Sequence, residues 1–334
     1  MTDFQSLLLL LTLAFGLSFL MLAFFLRSGT ARYLAMDEPN QRSLHSVAVP
    51  RVGGIAIVIA VLGVWNLLPE AKQALILLTA ALAGVSYVDD RKGLSVTVRL
   101  AAHSAAALVV VFSGLAANSQ SIWTTAGLVG YVIWMTNAYN FMDGSDGLAG
   151  GMALFGFSAY GFASLAAHAE PLATMNFILA AAAGGFLIFN FPPAKVFMGD
   201  AGSISLGFLA AALGLTGFEI RVWPLWFPIL VFSPFLVDAS VTLLRRTLRG
   251  ERFWEAHHDH YYQRLIRMGW GHRRTALAEY AVMAGVALSA VTGLRLGSQA
   301  QWFILSGWMM VFAGMMLAID THWGHFVRSR NKDK

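Results

Sequence analysis

The sequence predicts an all-α integral membrane protein with about eleven transmembrane helices. Only 12% of its 334 residues are charged and 57% are hydrophobic, whereas a typical soluble domain has about 25% charged residues. The apolar residues form runs close to the ~20 residues that a helix needs to cross a bilayer. The chain has no cysteine, which excludes a disulfide framework, a thiolate metal site and a cysteine nucleophile.

The predicted spans follow one another along the whole chain. The first, residues 6–26, contains no charged residue, and no basic segment precedes it as in a cleaved signal peptide. The other ten spans are the apolar runs at residues 53–69, 73–88, 97–115, 122–140, 148–167, 172–191, 203–218, 224–244, 276–295 and 301–320. We therefore interpret residues 1–334 as a single polytopic membrane domain.

The positions of Lys and Arg predict the orientation. With eleven spans, 20 of the 23 basic residues lie on the side of the C-terminus, and only Lys72, Arg221 and Arg295 lie on the other side. The positive-inside rule then places the C-terminus in the cytoplasm and the N-terminus outside. The net charge of +5 is thus explained by membrane asymmetry and not by nucleic-acid binding. The predicted cytoplasmic loops are about 27–52, 89–98, 140–148, 191–202 and 245–275.

Five aspartates gather at the cytoplasmic ends of these spans: Asp89, Asp90, Asp143, Asp146 and Asp200. Carboxylates brought to one membrane face repel one another. A hard divalent cation with oxygen ligands, such as Mg²⁺, would neutralise them. Each aspartate alone is explained as well by a helix cap or by a pair with a loop arginine. The set as a whole favours a metal site on the cytoplasmic face.

Residues 137–151 are the densest of these segments, with two amides, two carboxylates and four glycines where a span ends. Asn137 and Asn140 lie one helical turn apart on an apolar helix. Gly144 and Gly147 allow the backbone to turn and to approach a ligand. An Asp-Gly pair is also a common turn signal, but a turn alone does not require the two asparagines.

Two further segments combine polar residues with a helix end. In residues 190–207, Gly199-Asp-Ala-Gly-Ser203 precedes an apolar helix, whose free N–H groups suit a phosphate, although Asp200 is equally suited to cap that helix. In residues 89–99, two adjacent carboxylates precede three cations, and Arg99 can bind phosphate through two donors. His103 follows Arg99 by one turn and is interpreted as a packing histidine.

The last large loop contains His257, His258 and His260. No further ligand is evident for a zinc site, so a surface of His, Arg and Tyr that binds an anion is the better interpretation. Asp238, at the inner end of the ninth span, is an intramembrane carboxylate and therefore a functional candidate, as partner of an arginine or support of the site.

Five motifs in this order resemble the polyprenyl-phosphate N-acetylhexosamine-1-phosphate transferase superfamily, glycosyltransferase family 4. They are Asp37-Glu-Pro-Asn-Gln-Arg-Ser-Leu-His45 with Pro50-Arg-Val-Gly-Gly54, Asp89-Asp90, Asn137-x-x-Asn140-x-x-Asp-Gly-x-Asp-Gly-Leu-Ala149, Phe197-Met-Gly-Asp-Ala-Gly-Ser203 and the histidine-rich loop. The resemblance covers essentially the whole chain. It implies transfer of N-acetylated hexosamine-1-phosphate from a UDP-sugar to undecaprenyl phosphate, with release of UMP and use of Mg²⁺, in the bacterial inner membrane with a periplasmic N-terminus.

The same resemblance implies roles for individual residues. The residues expected to act in catalysis are Asp89, Asp90, Arg99, Asp143 and Asp146. Those expected to bind substrate are Asn137, Asn190, His257, His258 and His260. Asn140 and Asp200 are expected to hold the metal. We expect a direct displacement in which Asp89 chiefly orients the acceptor or the metal, with a covalent aspartyl-phosphate as the competing route.

The form of the histidine loop, with Trp254-Glu-Ala-His and Tyr262-Gln263, resembles the O-antigen-initiating branch more than the muramoyl-pentapeptide branch of peptidoglycan synthesis. Two other classes remain as alternatives: a polytopic transporter, which places its substrate near the bilayer midplane, and a lipid-binding scaffold without activity. The sequence leaves homodimerisation and the identity of the sugar open.

Overall fold

The computed structural model describes residues 4–37, 48–69, 73–114, 121–252 and 257–332. Its α-helices are α1 (Phe4–Ser28), α2 (Ala31–Leu34), α3 (Gly53–Trp65), α4 (Gln73–Lys92), α5 (Val96–Ser113), α6 (Ile122–Phe141), α7 (Leu148–Ala166), α8 (Glu170–Asn190), α9 (Asp200–Glu219), α10 (Trp226–Val231), α11 (Ser233–Leu248), α12 (Tyr261–Leu265), α13 (Gly271–Gly293) and α14 (Ser298–Lys332). A π-helix (Ile266–Trp270) joins α12 to α13, and β1 (Met36–Asp37) pairs antiparallel with β2 (Val49–Pro50).

The predicted class, an all-α integral membrane protein, is confirmed. Eight helices in the described ranges are long and apolar enough to cross a membrane: α1, α4, α5, α7, α8, α9, the continuous helix over 261–293, and α14. Each predicted span coincides with a helix. Three of them, α3, α6 and α10 with α11, are outside that group of eight, so the number of crossings and the orientation stay predictions.

Helix α9 lies at the centre of the bundle, and nearly all of its side chains are buried. Small residues along α9 allow other backbones to approach closely, as is common between helices in membranes. A side-chain carbon added at Gly207 would lie 2.7 Å from Tyr139 Cβ and 2.9 Å from Thr136 Cα, both on α6. The small residues of α9 thereby fix how deeply it sits against its neighbours.

The helices extend further into the predicted cytoplasmic loops than the sequence indicates. The predicted loop 89–98 is reduced to residues 93–95, because α4 continues to Lys92 and α5 begins at Val96. The Ser95 hydroxyl caps α5 by accepting a hydrogen bond from the Val98 N–H at 3.3 Å. The predicted loop 191–202 ends at 199, where α9 begins, and 245–275 is largely helical. Hydropathy marks where apolar residues end, whereas backbone hydrogen bonding continues through polar residues.

Candidate active site

The segment between α8 and α9 is fixed against the start of α3 by backbone hydrogen bonds. Gly53 N–H donates to Phe197 O at 2.9 Å, and Gly54 N–H donates to Met198 O at 2.8 Å. A side-chain carbon at Gly54 would lie only 2.2 Å from Gly202 Cα, so the two backbones touch. This contact requires glycine at both positions, and it places Asp200 at the end of the bundle where α4, α5 and α6 also terminate or begin.

The predicted carboxylates of α4 meet two arginines and the start of α9. Asp89 accepts a bond from Arg99 Nη1 at 3.2 Å, and the same Arg99 atom lies 4.0 Å from Asp200 Oδ2. Asp90 is buried, lies 3.6 Å from Arg51 Nη1 and accepts a bond from the Ala201 N–H at 3.4 Å. Residues that are distant in sequence therefore form one cluster of alternating charge.

The loop between α6 and α7 is tied to the segment that follows α8. Asn190 Oδ1 accepts from the Gly147 N–H at 2.9 Å, while Asn190 Nδ2 donates to Val196 O at 2.8 Å. Asp146 Oδ2 accepts from the Ala194 N–H at 3.0 Å. Gly147 has a φ of 76°, a conformation that side chains rarely adopt. Asn190 thus holds two loops in place and also lines a cavity between them.

Ser203 connects Asn140 on α6 to the first turn of α9, which begins at Asp200. Ser203 is one turn after Asp200 on α9, and its hydroxyl donates to Asn140 Oδ1 at 2.5 Å. In the described ranges, no group of three or more His, Cys, Asp or Glu side chains forms a metal site. One carboxylate and one amide oxygen fit Mg²⁺ nevertheless, since this ion commonly takes one or two protein ligands and completes its shell with substrate phosphates and water.

The pKa of Asp143 is shifted by its surroundings in the site. Burial, and then the carboxylates of Asp200 and Asp90, raise its pKa well above the usual value for aspartate. Arg51 opposes this effect but does not reverse it. Burial is the largest cause, and the neighbouring carboxylates add to it, so a cation bound here would relieve the crowding of negative charge.

Two cavities open at this end of the bundle and meet at the same two residues. The first, about 200 Å³, is mostly polar, and its lining includes Arg51, Asp143, Asp146, Asn190 and Phe197. The second, about 470 Å³, is a mostly apolar groove between α4, α5, α6, α9 and α11, with Asp89 and Arg99 at its polar end. Asn140 and Asp200 line both cavities. The arrangement can bring a polar ligand and an amphipathic ligand together at one amide and carboxylate pair.

The histidine loop closes the polar end of the groove. His257 and His260 line the groove, whereas within the described part of the chain His258 lines neither cavity. Burial, then His260 and Arg246, lower the pKa of His257 to about 4. Asp238 accepts bonds from His260 Nδ1 at 3.0 Å and from the backbone N–H groups of Tyr261 and Tyr262 at 3.1 and 3.2 Å. Asp238 therefore orients His260 and the first turn of α12.

The cavities also contain residues that were not predicted from the sequence to act in the site. Arg51 pairs with Asp37 at 2.6 Å as well as with Asp90. His272 lines the polar cavity, where its Nδ1 lies 3.0 Å from Ser145 Oγ. Arg51 stands in the motif Pro50-Arg-Val-Gly-Gly54, so a signal for it existed. His272 follows the histidine loop by twelve residues, and only the fold brings it to the site. Residues 38–45 and Trp254–Ala256, part of the predicted motifs, lie outside the described residues.

Comparison with known proteins places the chain among membrane sugar-phosphate transferases. The model of "Glycosyl transferase family 4" matches residues 73–218. The chain is 30% identical to the "Probable undecaprenyl-phosphate N-acetylglucosaminyl 1-phosphate transferase" of Bacillus subtilis, with 84% of each chain covered. It is 29% identical to the "Decaprenyl-phosphate N-acetylglucosaminephosphotransferase" of Mycobacterium tuberculosis, over 86% of this chain and 83% of the relative. It is also 30% identical to the "Phospho-N-acetylmuramoyl-pentapeptide-transferase" of Rippkaea orientalis, over 80% of each chain.

Proposed function

The chain belongs to glycosyl transferase family 4, the polyprenyl-phosphate N-acetylhexosamine-1-phosphate transferases, and from this premise we propose that it transfers N-acetylglucosamine-1-phosphate from a UDP-sugar to undecaprenyl phosphate. The names of the B. subtilis and M. tuberculosis relatives support a polyprenyl phosphate acceptor and this sugar. The products would be UMP and a lipid-pyrophosphate-linked sugar. Such a product would begin the synthesis of an O-antigen or related envelope glycan at the inner membrane.

One observation carries the proposal: a polar cavity and an apolar groove meet at Asn140 and Asp200. The reaction joins a water-soluble nucleotide sugar to a phosphate on a long apolar chain, so it needs these two environments side by side. A transporter needs one site that is reached from both membrane faces. Here the charged residues that line the two cavities lie at one end of the bundle. A lipid-binding scaffold would need the groove but not the second, polar cavity.

The polar cavity suits the UDP-sugar. Its lining includes Arg51, Asp143, Asp146 and His272, together with the aromatic ring of Phe197. The phosphates of a UDP-sugar carry negative charge that can pair with arginine. Its ribose hydroxyls and the imide N–H of its base can donate hydrogen bonds to carboxylates. Asn190 maintains the cavity by holding the loops around Gly147 and Val196 together.

The groove suits undecaprenyl phosphate, with the phosphate at its polar end. Arg99 lies between Asp89 and Asp200 there, so a phosphate at this point would gain a charge-assisted hydrogen bond. Apolar residues of five helices line the remainder, among them Val85, Leu100, Ile133, Ile204 and Leu243. The isoprene units would replace lipid contacts along this wall.

The residues at the junction fit a Mg²⁺ ion held by Asp200 and Asn140. When bound, Mg²⁺ supplies positive charge that offsets repulsion between the attacking phosphate and the pyrophosphate and stabilises the departing UMP. Arg99 adds positive charge from the acceptor side, where it also orients the attacking oxygen. The crowding of Asp143 by Asp90 and Asp200 supports a cation at this point.

Proton removal is a minor part of the chemistry. The second pKa of a phosphate monoester is about 6, so most of the acceptor is already dianionic at neutral pH. Asp89 accepts hydrogen bonds from Arg99 and from the Leu94 N–H, an arrangement that suits orientation of Arg99 and the acceptor. We therefore place Asp89 as an orienting group in a single displacement at the β-phosphorus.

The test is release of UMP by the purified chain with undecaprenyl phosphate and Mg²⁺, across a panel of UDP-sugars. We expect turnover with UDP-N-acetylglucosamine, and Asp200→Asn should reduce it at least ~100-fold because it removes a metal ligand. Preference for UDP-N-acetylmuramoyl-pentapeptide would instead assign the chain to the activity named for the R. orientalis relative. No UMP with any donor would contradict the proposal, whereas full turnover in Asp200→Asn would contradict the assignment of Asp200 as a metal ligand.

A phosphorylated enzyme trapped with UDP-sugar in the absence of lipid would contradict the direct displacement while leaving the overall reaction intact.

A further inference from the structure

Asp320 on α14 binds side chains of two other helices. Its Oδ2 atom accepts hydrogen bonds from Arg245 Nη1 on α11 at 2.6 Å and from the Tyr261 hydroxyl on α12 at 3.3 Å. Its Oδ1 atom accepts a hydrogen bond from Arg264 Nη1 on α12 at 2.8 Å. Both carboxylate oxygens are therefore occupied, and this one residue joins three helices.

Arg264 is the most buried member of this cluster. Only 6% of its side chain is exposed, and Asp320 is the carboxylate within ion-pair distance of it in the described part of the chain. Its guanidinium also lies over the Tyr261 ring, 4.9 Å from the ring centre. Removing one partner of a buried ion pair is strongly destabilising because the other charge is left uncompensated. The position of Arg264 therefore depends on Asp320.

A second contact joins α14 to the same segment. Trp323 follows Asp320 by three residues, and its ring centre lies 4.9 Å from the Arg267 guanidinium. The apolar part of α14 is otherwise mostly exposed, with only 6% of it buried. A helix that faces lipid does not need a carboxylate, so an ionisable residue on such a helix is a functional candidate.

The segment that Asp320 holds carries the histidines of the groove. His260 immediately precedes α12, and its carbonyl accepts a hydrogen bond from the Arg264 N–H at 3.0 Å. The ring centres of His260 and His257 are 4.8 Å apart, and both residues line the groove. A displacement of Arg264 would therefore move the turn that places His260 in the groove wall.

Tyr261 connects this turn to two carboxylates on different helices. Its N–H donates to Asp238 on α11 at 3.1 Å, while its hydroxyl donates to Asp320 on α14. Asp238 also binds the His260 ring. The backbone of the turn is thus fixed by Asp238, and the side chains that extend from it are fixed by Asp320.

We propose that Asp320 is a positioning residue for acceptor binding, because through Arg264 and Tyr261 it holds His260 in the wall of the groove. The inference rests on the proposed function for the identity of the acceptor, undecaprenyl phosphate. Within the described part of the chain, no residue of α14 lines either cavity. Asp320 therefore acts on the reaction only through the residues that it holds.

Asp320→Asn is the direct test, because it preserves the shape of the side chain and removes one acceptor. An asparagine side chain has one acceptor oxygen and one NH₂ donor group. Since both oxygens of Asp320 accept hydrogen bonds, the NH₂ group would face at least one other donor. Asp320→Glu retains both acceptors and the charge on a longer side chain. Glu170→Gln is the control, since it neutralises an exposed acid on α8.

For each variant in lipid nanodiscs we would measure the KM for undecaprenyl phosphate, the KM for the UDP-sugar, the kcat and the thermal unfolding midpoint. We expect Asp320→Asn to raise the lipid KM about tenfold while the UDP-sugar KM changes less than twofold. Asp320→Glu should stay within about threefold of the wild type, and Glu170→Gln should equal it. An unchanged lipid KM in Asp320→Asn would overturn the inference. Equal losses for both substrates would also overturn it, because Asp320 would then only attach α14 to the bundle.

A double-mutant cycle tests whether Asp320 acts through His260. His260→Asn removes most of the ring and keeps a hydrogen-bond donor near the position of Nδ1. Residues that act through one another have non-additive effects, so Asp320→Asn should change the lipid KM less than twofold in the His260→Asn background. A tenfold change in that background as well would overturn the inference.

Tyr261→Phe decides the question if Asp320→Asn does not fold. It removes the hydroxyl that donates to Asp320 and retains both the aromatic ring and the backbone N–H bound to Asp238. We expect a lipid KM about threefold above that of the wild type with an unchanged UDP-sugar KM. An unchanged lipid KM would overturn the inference.

Direct binding of undecaprenyl phosphate without UDP-sugar separates this inference from the proposed function. If the wild type binds the lipid, Asp320→Asn weakens that binding and no UDP-sugar supports turnover, the transferase proposal fails and the role of Asp320 stands. If the wild type turns over and Asp320→Asn binds the lipid normally, the role of Asp320 fails and the transferase proposal stands.

Discussion

The contact between α3 and α9 gives a sharp test of how the fold positions Asp200. Gly54→Ala would place a side-chain carbon 2.2 Å from both Gly202 Cα and Gly202 N, and 2.8 Å from Met198 O. Ordinary contact begins near 3.4 Å. The neighbouring atoms are backbone, so no side chain can rotate away, and the start of α9 would have to move by about 1 Å.

This displacement has two measurable consequences. Overpacking of this kind typically costs ~1–3 kcal/mol of stability. A shift of about 1 Å at a catalytic group typically costs ~100-fold in rate. We therefore expect Gly54→Ala to lower both the thermal unfolding midpoint in detergent and the kcat for UMP release.

Gly63→Ala is the matched control, since Gly63 is on the same helix and a carbon added there meets nothing within 4 Å. Alanine is up to ~1 kcal/mol more favourable than glycine in a helix, so Gly63→Ala should be neutral or slightly stabilising with normal turnover. If Gly54→Ala retained wild-type stability and at least half of the wild-type kcat, the α3–α9 contact would not determine the position of Asp200, and our account of the site would be wrong.

Four further predictions follow from the site. Chelation of Mg²⁺ with EDTA should lower UMP release at least ~100-fold, restored by added Mg²⁺. The pKa of Asp143 is raised in the folded chain, so its negative charge at neutral pH opposes folding. Asp143→Asn should therefore raise the thermal unfolding midpoint in EDTA at pH 7.5, and it should reduce the increase in that midpoint on addition of Mg²⁺. The reverse result would contradict the argument that carboxylates crowd Asp143. The pKa of His257 is about 4 in the folded chain against ~6.5 in the unfolded chain. The contribution of His257 to stability is therefore complete above pH 6.5 and declines as the pH falls toward 4. In thermal melts, His257→Gln should lose less stability than the wild type between pH 7 and 5. Asp238→Asn leaves one of the N–H donors around Asp238 without an acceptor and should cost ~1–3 kcal/mol with lower kcat, whereas unchanged values would mean that Asp238 does not orient His260.

The sequence predicts the class of the fold and the composition of the site through independent signals. Apolar runs place eleven segments that all coincide with helices, because burial in lipid requires such runs whatever the tertiary arrangement. Scarce polar residues at the ends of those runs then mark the site. Asp89, Asn140 and Asp200 are identifiable in this way, and they do line the cavities.

The sequence does not predict what depends on the relative rotation of helices. The division between a polar cavity and an apolar groove is one example, since Asn137 and Asn140 are one turn apart and only Asn140 reaches both. The place of His103 in the wall of the groove is another. Its position four residues after Arg99 also fits a packing role, and only the packing of α5 against α6 brings it to the groove.

The position of the site at helix ends explains why the packing of α9 matters for the proposed chemistry. A residue step along a helix moves a side chain by 1.5 Å and rotates it by about 100°. A slip of α9 by one residue would therefore direct Asp200 away from Asn140 and Arg99. The backbone contacts at Gly202 and Gly207 prevent such a slip, because larger residues at either point would separate α9 from α3 or α6. Glycines that make no contact with a substrate thereby set both the depth and the rotation of a proposed metal ligand, and we expect variants at these glycines to reduce kcat more than substrate affinity.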